Sequence, residues 1–140
     1  MIERLTVIDG ATVGDINTLI PQLKPLWEPV SEDGLVELLA SGSQVFVVRE
    51  GRRIVGLAVM VPHRHLPGLR YHVEDVVIAA EHRGRGLARR LLELAMGEVP
   101  GPVRSFDLRS HASRTHAHRL YVSLGFRASD TTVFRRDAAD

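Results

Sequence analysis

Apolar residues recur along the chain at two spacings, one typical of helices and the other of strands. Positions three and four apart predict a helix over 15–26, although Pro21 and Pro25 should shorten or kink it. A second helix is predicted over 31–39, with Ser31 as its N-cap. Apolar and β-branched runs predict strands at 5–8, 44–50, 53–61, 69–79, 103–108 and 131–136.

Turn-forming residues connect these elements. The Gly-Arg pair at 51–52 separates two strands and predicts an antiparallel hairpin, whereas 62–68, rich in proline, histidine and glycine, is predicted to be a loop. The fourth strand runs through a glycine-containing turn into an amphipathic helix over about 86–97. The last helix is predicted over 113–124, with Ser113 as its cap.

The size and composition of the chain suit one globular domain. It has 140 residues, of which 44% are hydrophobic and 25% charged, so we expect a single domain over 1–140 around one core. No apolar run approaches the ~18 residues that cross a bilayer and no signal-peptide pattern opens the chain, so we expect a cytoplasmic protein without a membrane partner. A net charge of +1 is too small to indicate nucleic acid as a partner. The absence of cysteine excludes disulfides, thiolate metal sites and a cysteine nucleophile.

The turn over 83–88, Arg-Gly-Arg-Gly-Leu-Ala, carries the strongest chemical signal. Two glycines let the backbone approach a ligand, and the amides that open the next helix lack intrahelical partners, so together they suit an anion. A Walker A loop is excluded because Gly-Lys-Ser/Thr is absent, and a dinucleotide turn because Arg89 stands where a third small residue is needed. What remains is the pattern Arg-x-x-Gly-x-Ala, formed by Arg83, Gly86 and Ala88.

This pattern, together with two others, resembles the GNAT superfamily of acyl-coenzyme-A-dependent N-acetyltransferases. The others are Glu-Asp-Val-Val-Ile at 74–78 and Ala-His-Arg-Leu-Tyr-Val-Ser-Leu-Gly-Phe at 117–126, and the resemblance extends over essentially the whole chain. It implies an α/β fold, classed as α+β in some schemes, with a mixed central sheet of about six to seven strands flanked by helices. It also implies a V-shaped splay between the strands at 69–79 and 103–110.

The same resemblance implies acetyl-CoA as the co-substrate and assigns residues to it. The backbone of Val76, Val77 and Ile78 would face the pantetheine arm. The pyrophosphate would be held by the turn and the start of the next helix: Arg83, Gly84, Arg85, Gly86, Leu87, Ala88 and Arg89. Many family members carry an asparagine where this chain has Arg114, which would instead meet a phosphate or an anionic acceptor.

Two side chains are the candidate catalytic groups. Tyr121 matches the family's general acid, although an aromatic residue at helical spacing also suits a core. Glu74 is the candidate base or water-orienting group, because strand alternation places it on the face of Val76 and Ile78. The alternative for Glu74 is substrate binding or hairpin pairing without proton transfer. Alternation places Asp75 on the opposite face, as the weaker candidate.

We expect no metal site, because the histidines do not form the His-x-x-x-His pair of metalloproteases. The implied reaction is direct attack of a primary amine on acetyl-CoA in a ternary complex, with a small amine or an amino sugar as the acceptor. Two alternatives stay open: a protein N-terminal or lysine acetyltransferase, and a non-catalytic acyl-CoA-binding or regulatory module. The resemblance is also compatible with a homodimer.

Overall fold

The computed structural model describes residues 1–138 of the chain. The chain divides into two compact units, Met1–Arg109 and Ser110–Asp140. The first unit, all of which is described, is built from the following elements: β1 (Ile2–Arg4), α1 (Gly10–Leu23), α2 (Glu32–Ala40), β2 (Gln44–Glu50), β3 (Arg53–His65), β4 (Gly68–Ile78), α3 (Leu87–Glu98) and β5 (Ser105–Leu108). The described part of the second unit contains α4 (Thr115–Ser123). The single domain over 1–140 stays a prediction, and its last two residues lie outside the described part.

The strands form one mixed sheet. Their order is β1-β2-β3-β4-β5, with antiparallel pairing throughout the first four strands and parallel pairing between β4 and β5. Helices α1 and α3 pack against this sheet. The predicted α/β class and mixed sheet are therefore confirmed, whereas the predicted six to seven strands are wrong, since the described residues form a sheet of five.

Burial along β3 shows how the sheet is covered. Every residue from Ile54 to Met60 is buried, so both faces of this strand are shielded from water, as in a sheet that lies between helices. The largest completely buried side chains come from the strands and from the helices beside them: Phe46, Leu19, Met60, Leu91, Leu92, Val45, Val47 and Val55. The core thus lies on both sides of the strand pair that leads into β4.

Helix α1 begins five residues earlier than the predicted 15–26, at Gly10. The Asp9 side chain accepts a hydrogen bond from the Thr12 amide at 2.9 Å, which is an N-cap that sets the start. The helix ends at Leu23 because the proline at position 25 disfavours helical backbone at Lys24, whose φ and ψ are −143° and 99°. Helix α2 has the predicted cap, since Ser31 accepts from the Gly34 amide at 3.0 Å.

The predicted loop over 62–68 is wrong. Strand β3 continues to His65 and β4 starts at Gly68, so the connection is a two-residue turn. Pairing of β3 with β2 ends at Met60, which leaves the rest of β3 as an edge on that side. Proline is tolerated on an edge strand, where its missing amide breaks no ladder bond, so Pro62 does not end the strand.

Two further predicted strands are wrong. The first strand is Ile2–Arg4 rather than 5–8, and it pairs with Phe46 to Val48. Residues 131–136 have no regular secondary structure, and Phe134 is 92% exposed. An apolar run becomes a strand only when a neighbouring strand pairs with it. No helix in the described residues is long and apolar enough to cross a membrane.

Candidate active site

The turn that follows β4 is built on two glycines in left-handed backbone conformation. Gly84 has φ +81° and Gly86 has φ +74°. A Cβ atom at either position would meet no neighbouring atom within 4 Å. Glycine is therefore required by the backbone conformation rather than by crowding, and the absence of a side chain leaves the backbone of the turn open to a ligand.

Helix α3 starts at the end of this turn without a side-chain cap. Gly86 is the N-cap residue, and the helix opens with a bond from the Arg90 amide to the Gly86 carbonyl at 3.2 Å. The amides of a first helical turn lack intrahelical acceptors and lie at the positive end of the helix dipole. This arrangement fits an anionic group such as a diphosphate, as predicted for residues 83–89.

The predicted residue Arg83 has a structural contact of its own. Its Nε donates to the Ile78 carbonyl at 2.9 Å, which fastens the turn to the end of β4. A 3-10 turn over Ala80–His82 lies between them, and the Ala80 amide donates to Gln22 Oε1 of α1 at 2.9 Å. The side chain of Arg83 therefore braces the turn, while its predicted contribution to a ligand was through its backbone.

Strand β4 is paired on both sides only in its first half. Strand β5 pairs with Arg70 to Val73 and ends at Leu108. In the fully described first unit, β4 then continues to Ile78 with no strand beside it on that edge. This is the position of the predicted splay between 69–79 and 103–110. The open edge carries Val76, Val77 and Ile78, the residues predicted to face pantetheine.

A β-bulge at Glu74 overturns the predicted faces of the two carboxylates. Val73 pairs with Met60 and Asp75 with Val59, so Glu74 has no partner on β3. The bulge shifts the alternation of side chains by one residue. The prediction that Glu74 shares a face with Val76, and that Asp75 lies opposite Glu74, is therefore wrong.

Register and contacts give the actual arrangement. His72 pairs with Val61 and Asp75 with Val59, so both lie on the same face of the sheet. Glu74 belongs to that face too, because its Oε2 lies 3.2 Å from Nε2 of His72. The bulge thus brings two consecutive carboxylates onto one face beside an imidazole.

The two carboxylates differ in their surroundings. Burial raises the pKa of Asp75, the neighbouring Glu74 charge raises that pKa further, and Lys24 opposes both effects. Glu74 is exposed and has the His72 contact. Asp75 therefore binds a proton more tightly than an ordinary carboxyl does, and its pKa lies closer to that of an amine. The local sequence could not single out Asp75 over Glu74, because the bulge depends on how β4 pairs with β3.

Tyr121 lies in α4 of the second unit and is buried. Its ring meets that of Phe126 edge to face, with centroids 6.1 Å apart. Gly125, with φ +95°, ends the helix, and the Phe126 amide donates to the Tyr121 carbonyl at 3.0 Å. Within residues 110–138 the Tyr121 hydroxyl has no hydrogen-bond partner. Packing against Phe126 therefore holds the ring.

The start of α4 differs from its prediction. The helix begins at Thr115 with Arg114 in the N-cap position and no side-chain cap, so the predicted cap by Ser113 is wrong. The Ser113 hydroxyl lies 2.8 Å from His111 Nδ1 instead. Burial raises the pKa of Tyr121, and the positive charge of Arg114 opposes that rise. Arg114 is therefore an electrostatic neighbour of the candidate acid.

The structure brings the predicted residues together in two sets. Glu74, Val76–Ile78 and the turn over 83–89 follow one another in the first unit. Tyr121 and Arg114 lie together in the second. Among the described residues no group of three or more histidine, aspartate and glutamate side chains is arranged to hold a metal ion.

Known proteins share this architecture. The family model described as an acetyltransferase (GNAT) domain matches residues 41–128, more than half of the chain. An aminoglycoside acetyltransferase from an uncultured soil metagenomic sample, solved with trehalose, has a TM-score of 0.83 at 18% identity, with 100% of this chain and 96% of that chain covered. A putative acetyltransferase from Agrobacterium tumefaciens gives 0.80 at 22% identity, covering 96% and 99%. The aminoglycoside N-acetyltransferase AAC(6')-Iy, solved with CoA, gives 0.77 at 17% identity, covering 99% and 100%. No curated protein sequence matches the chain.

These likenesses to solved structures show the fold, and the family model shows the class. The chain belongs to the GNAT family of acetyltransferases.

Proposed function

We propose that the protein transfers an acetyl group from acetyl-CoA to a primary amine, by direct attack within a ternary complex. The observation that carries this proposal is the uncapped start of α3 behind Gly84 and Gly86, at the end of a strand whose edge is open beyond Val73. The acetyl-CoA molecule would supply a thioester. The turn would bind its diphosphate through backbone amides, and the open edge of β4 would bind the pantetheine arm.

The acceptor in this proposal is a small amine or an amino sugar. Solved neighbours of similar fold include an aminoglycoside acetyltransferase in complex with sisomicin, at a TM-score of 0.81 and 15% identity. Another neighbour is a ribosomal-protein-alanine N-acetyltransferase from Brucella melitensis, at 0.74 and 17%. At these identities only the fold is shared, so the choice between amino sugar and protein acceptor belongs to experiment. A cytoplasmic location and a homodimer stay predictions.

Tyr121 would act as the hydrogen-bond donor to the departing thiolate. A free tyrosine has a pKa of ~10 and a thiol one of ~8.5, so full proton transfer is uphill by ~2 kcal/mol. Burial raises the pKa of Tyr121 and widens this difference. The hydroxyl therefore keeps its proton at neutral pH, which suits donation of a hydrogen bond more than complete transfer.

The two carboxylates on the bulged face would handle the proton of the amine. An alkyl ammonium of pKa ~10 and an ordinary carboxylate near ~4 are mismatched by ~6 units, about 8 kcal/mol. The raised pKa of Asp75 narrows that gap. We assign Asp75 as the proton acceptor, directly or through water, and Glu74 as the group that orients the amine or the water.

A thiol-release assay with acetyl-CoA over a panel of amines tests the proposal. The panel contains small alkyl amines, amino sugars, aminoglycosides, lysine peptides and peptides with a free N-terminus. Turnover on the first three groups supports the proposed acceptor. Turnover confined to peptides would instead indicate a protein N-terminal or lysine acetyltransferase. Tight binding of CoA in calorimetry without turnover on any amine would mean a non-catalytic acyl-CoA-binding module. Failure to bind CoA would overturn the donor assignment itself.

A further inference from the structure

A cluster of three side chains joins the tip of the β2–β3 hairpin to the turn before α3. Glu50 is the last residue of β2, and its Oε2 lies 3.0 Å from Nε2 of His82. The same Oε2 lies 3.7 Å from Nη1 of Arg85, the residue between the two left-handed glycines. We propose that Glu50 is a positioning residue for the coenzyme A diphosphate, acting through His82 and Arg85. This inference rests on the function proposed above.

The contact with His82 is the closer of the two, and it is the one that involves a mostly buried side chain. The His82 side chain is only 13% exposed, whereas Glu50 and Arg85 are 60% and 56% exposed. Nδ1 of His82 is buried without a hydrogen-bond partner, and its nearest carboxylate, Glu81, is 3.9 Å away. Glu50 is thus the nearest carboxylate to this imidazole, and we infer that it positions the ring.

The location of the cluster explains why the turn needs it. Two side-chain hydrogen bonds anchor the turn, from the Ala80 amide to Gln22 and from Arg83 to the Ile78 carbonyl, and both lie before Gly84. Glycine has access to many backbone conformations. A turn with two glycines therefore adopts one conformation only when other contacts fix it. Glu50 is placed to hold both His82, before the glycines, and Arg85, between them.

Charge repulsion alone would give Glu50 the opposite role. A carboxylate beside an anion site repels the anion, so removing Glu50 would strengthen diphosphate binding if charge alone mattered. If positioning dominates, removing it weakens binding, because the turn must be ordered when the ligand binds. The sign of the change in CoA affinity separates the two roles.

The substitutions Glu50→Ala and Glu50→Gln separate the polar contact with His82 from the negative charge. Alanine removes both, whereas glutamine removes the charge and keeps a polar oxygen of similar reach beside Nε2 of His82. We expect Glu50→Ala to raise the Kd for CoA about tenfold, the size expected for the loss of one polar contact with a charged group. Glu50→Gln should stay within about threefold of the wild type. In steady state the change should fall on the KM for acetyl-CoA rather than on kcat.

Glu81→Gln is the matched control, because it removes a carboxylate near His82 that is beyond hydrogen-bond distance. It should leave the Kd for CoA unchanged or slightly lower. His82→Ala should weaken binding by no more than Glu50→Ala, because the contact of Glu50 with Arg85 remains, and the double variant should be no weaker than Glu50→Ala. Tighter or unchanged CoA binding in Glu50→Ala, or equal weakening in Glu81→Gln, overturns the proposal.

Amide hydrogen exchange of the ligand-free protein tests the proposal independently of CoA. Exchange of the Arg83 and Arg90 amides, which donate to the Ala80 and Gly86 carbonyls at the two ends of the turn, should be faster in Glu50→Ala than in the wild type and nearly restored in Glu50→Gln. Unchanged exchange in Glu50→Ala overturns the positioning role. If the wild type fails to bind CoA, the function proposed above fails, and the exchange rates still decide whether Glu50 holds the turn.

Discussion

The turn before α3 and the bulged centre of β4 are close in sequence but are built on different principles. The turn offers backbone amides, and its geometry depends on the positive φ angles of Gly84 and Gly86. The bulge offers side chains, and its geometry depends on how β4 pairs with β3 around Glu74 and Asp75. A backbone site is specified by its local sequence, whereas a side-chain site across strands is specified by register.

This difference determines how each region should respond to substitution. The turn should tolerate changes of its exposed side chains and fail when its backbone conformation is changed. The bulge and Tyr121 should respond to changes of single atoms that leave the backbone as it is. Variants that remove one functional group at a time therefore test this difference between the two regions.

The largest effect is expected at Tyr121. Tyr121→Phe removes the hydroxyl proposed to stabilise the leaving thiolate and should lower kcat about a hundredfold, with little change in the KM for acetyl-CoA. Tyr71→Phe is the control, because that hydroxyl donates to the Pro100 carbonyl at 3.0 Å and serves the fold. It should cost about 1 kcal/mol of stability and leave kcat unchanged. A similar kcat for Tyr121→Phe and wild type would remove Tyr121 from the mechanism.

The next effect separates the two carboxylates of the bulge. Asp75→Asn should lower kcat about thirtyfold at neutral pH, whereas Glu74→Gln should lower it about threefold, because the raised pKa makes Asp75 the better proton acceptor. Both variants keep the size of the side chain. Steady-state kinetics with a good amine substrate gives the comparison. The reverse order would return Glu74 to the role of base, as strand alternation had predicted.

The backbone site is tested by a pair of glycines near the two ends of α3. Gly86→Ala places a Cβ at φ +74°, which costs about 1–2 kcal/mol, and should raise the Kd for CoA about tenfold. Gly97→Ala lies inside the helix, where alanine is favoured by about 0.5–1 kcal/mol. That control should stabilise the protein and bind CoA normally. Equal CoA affinity for all three proteins would mean that the left-handed conformation does not matter for binding.

Sequence patterns succeeded where the determinants are local. The strand over 44–50 has its predicted bounds because the turn at 51–52 ends it, and α2 has its predicted cap at Ser31. The turn before α3 was predicted from the two glycines of a six-residue motif, and in the structure both glycines have positive φ angles at the uncapped start of α3. Each of these features is determined by neighbours in the sequence.

Features that depend on distant partners were mispredicted. The apolar run over 131–136 has no pairing strand in the described residues, and Pro62 is accepted because β2 has already ended its pairing with β3. The bulge at Glu74 inverts the predicted faces for the same reason, since its position is set by the pairing of Val73 with Met60. The contact of Glu50 with His82 joins elements 32 residues apart and leaves no local pattern.

The smallest expected effect is on the pH dependence of stability. Folding raises the pKa of Asp75, whereas it lowers the pKa of most carboxyls. Burial raises the pKa of Asp75 above its ordinary value of 3.8, so the folded state binds this proton more tightly than the unfolded state. The resulting stabilisation is complete below pH 3.8 and is lost as the pH rises through the folded-state pKa. Asp75→Asn has no carboxyl at this position, so its unfolding free energy does not fall with pH for this reason. The unfolding free energy of the variant minus that of the wild type should therefore increase with pH and then level off. Urea unfolding of both proteins between pH 4 and pH 8 measures this, with Asp130→Asn as a control for the removal of one carboxylate. A difference that decreases as the pH rises would show that Lys24, rather than burial and Glu74, dominates the pKa of Asp75.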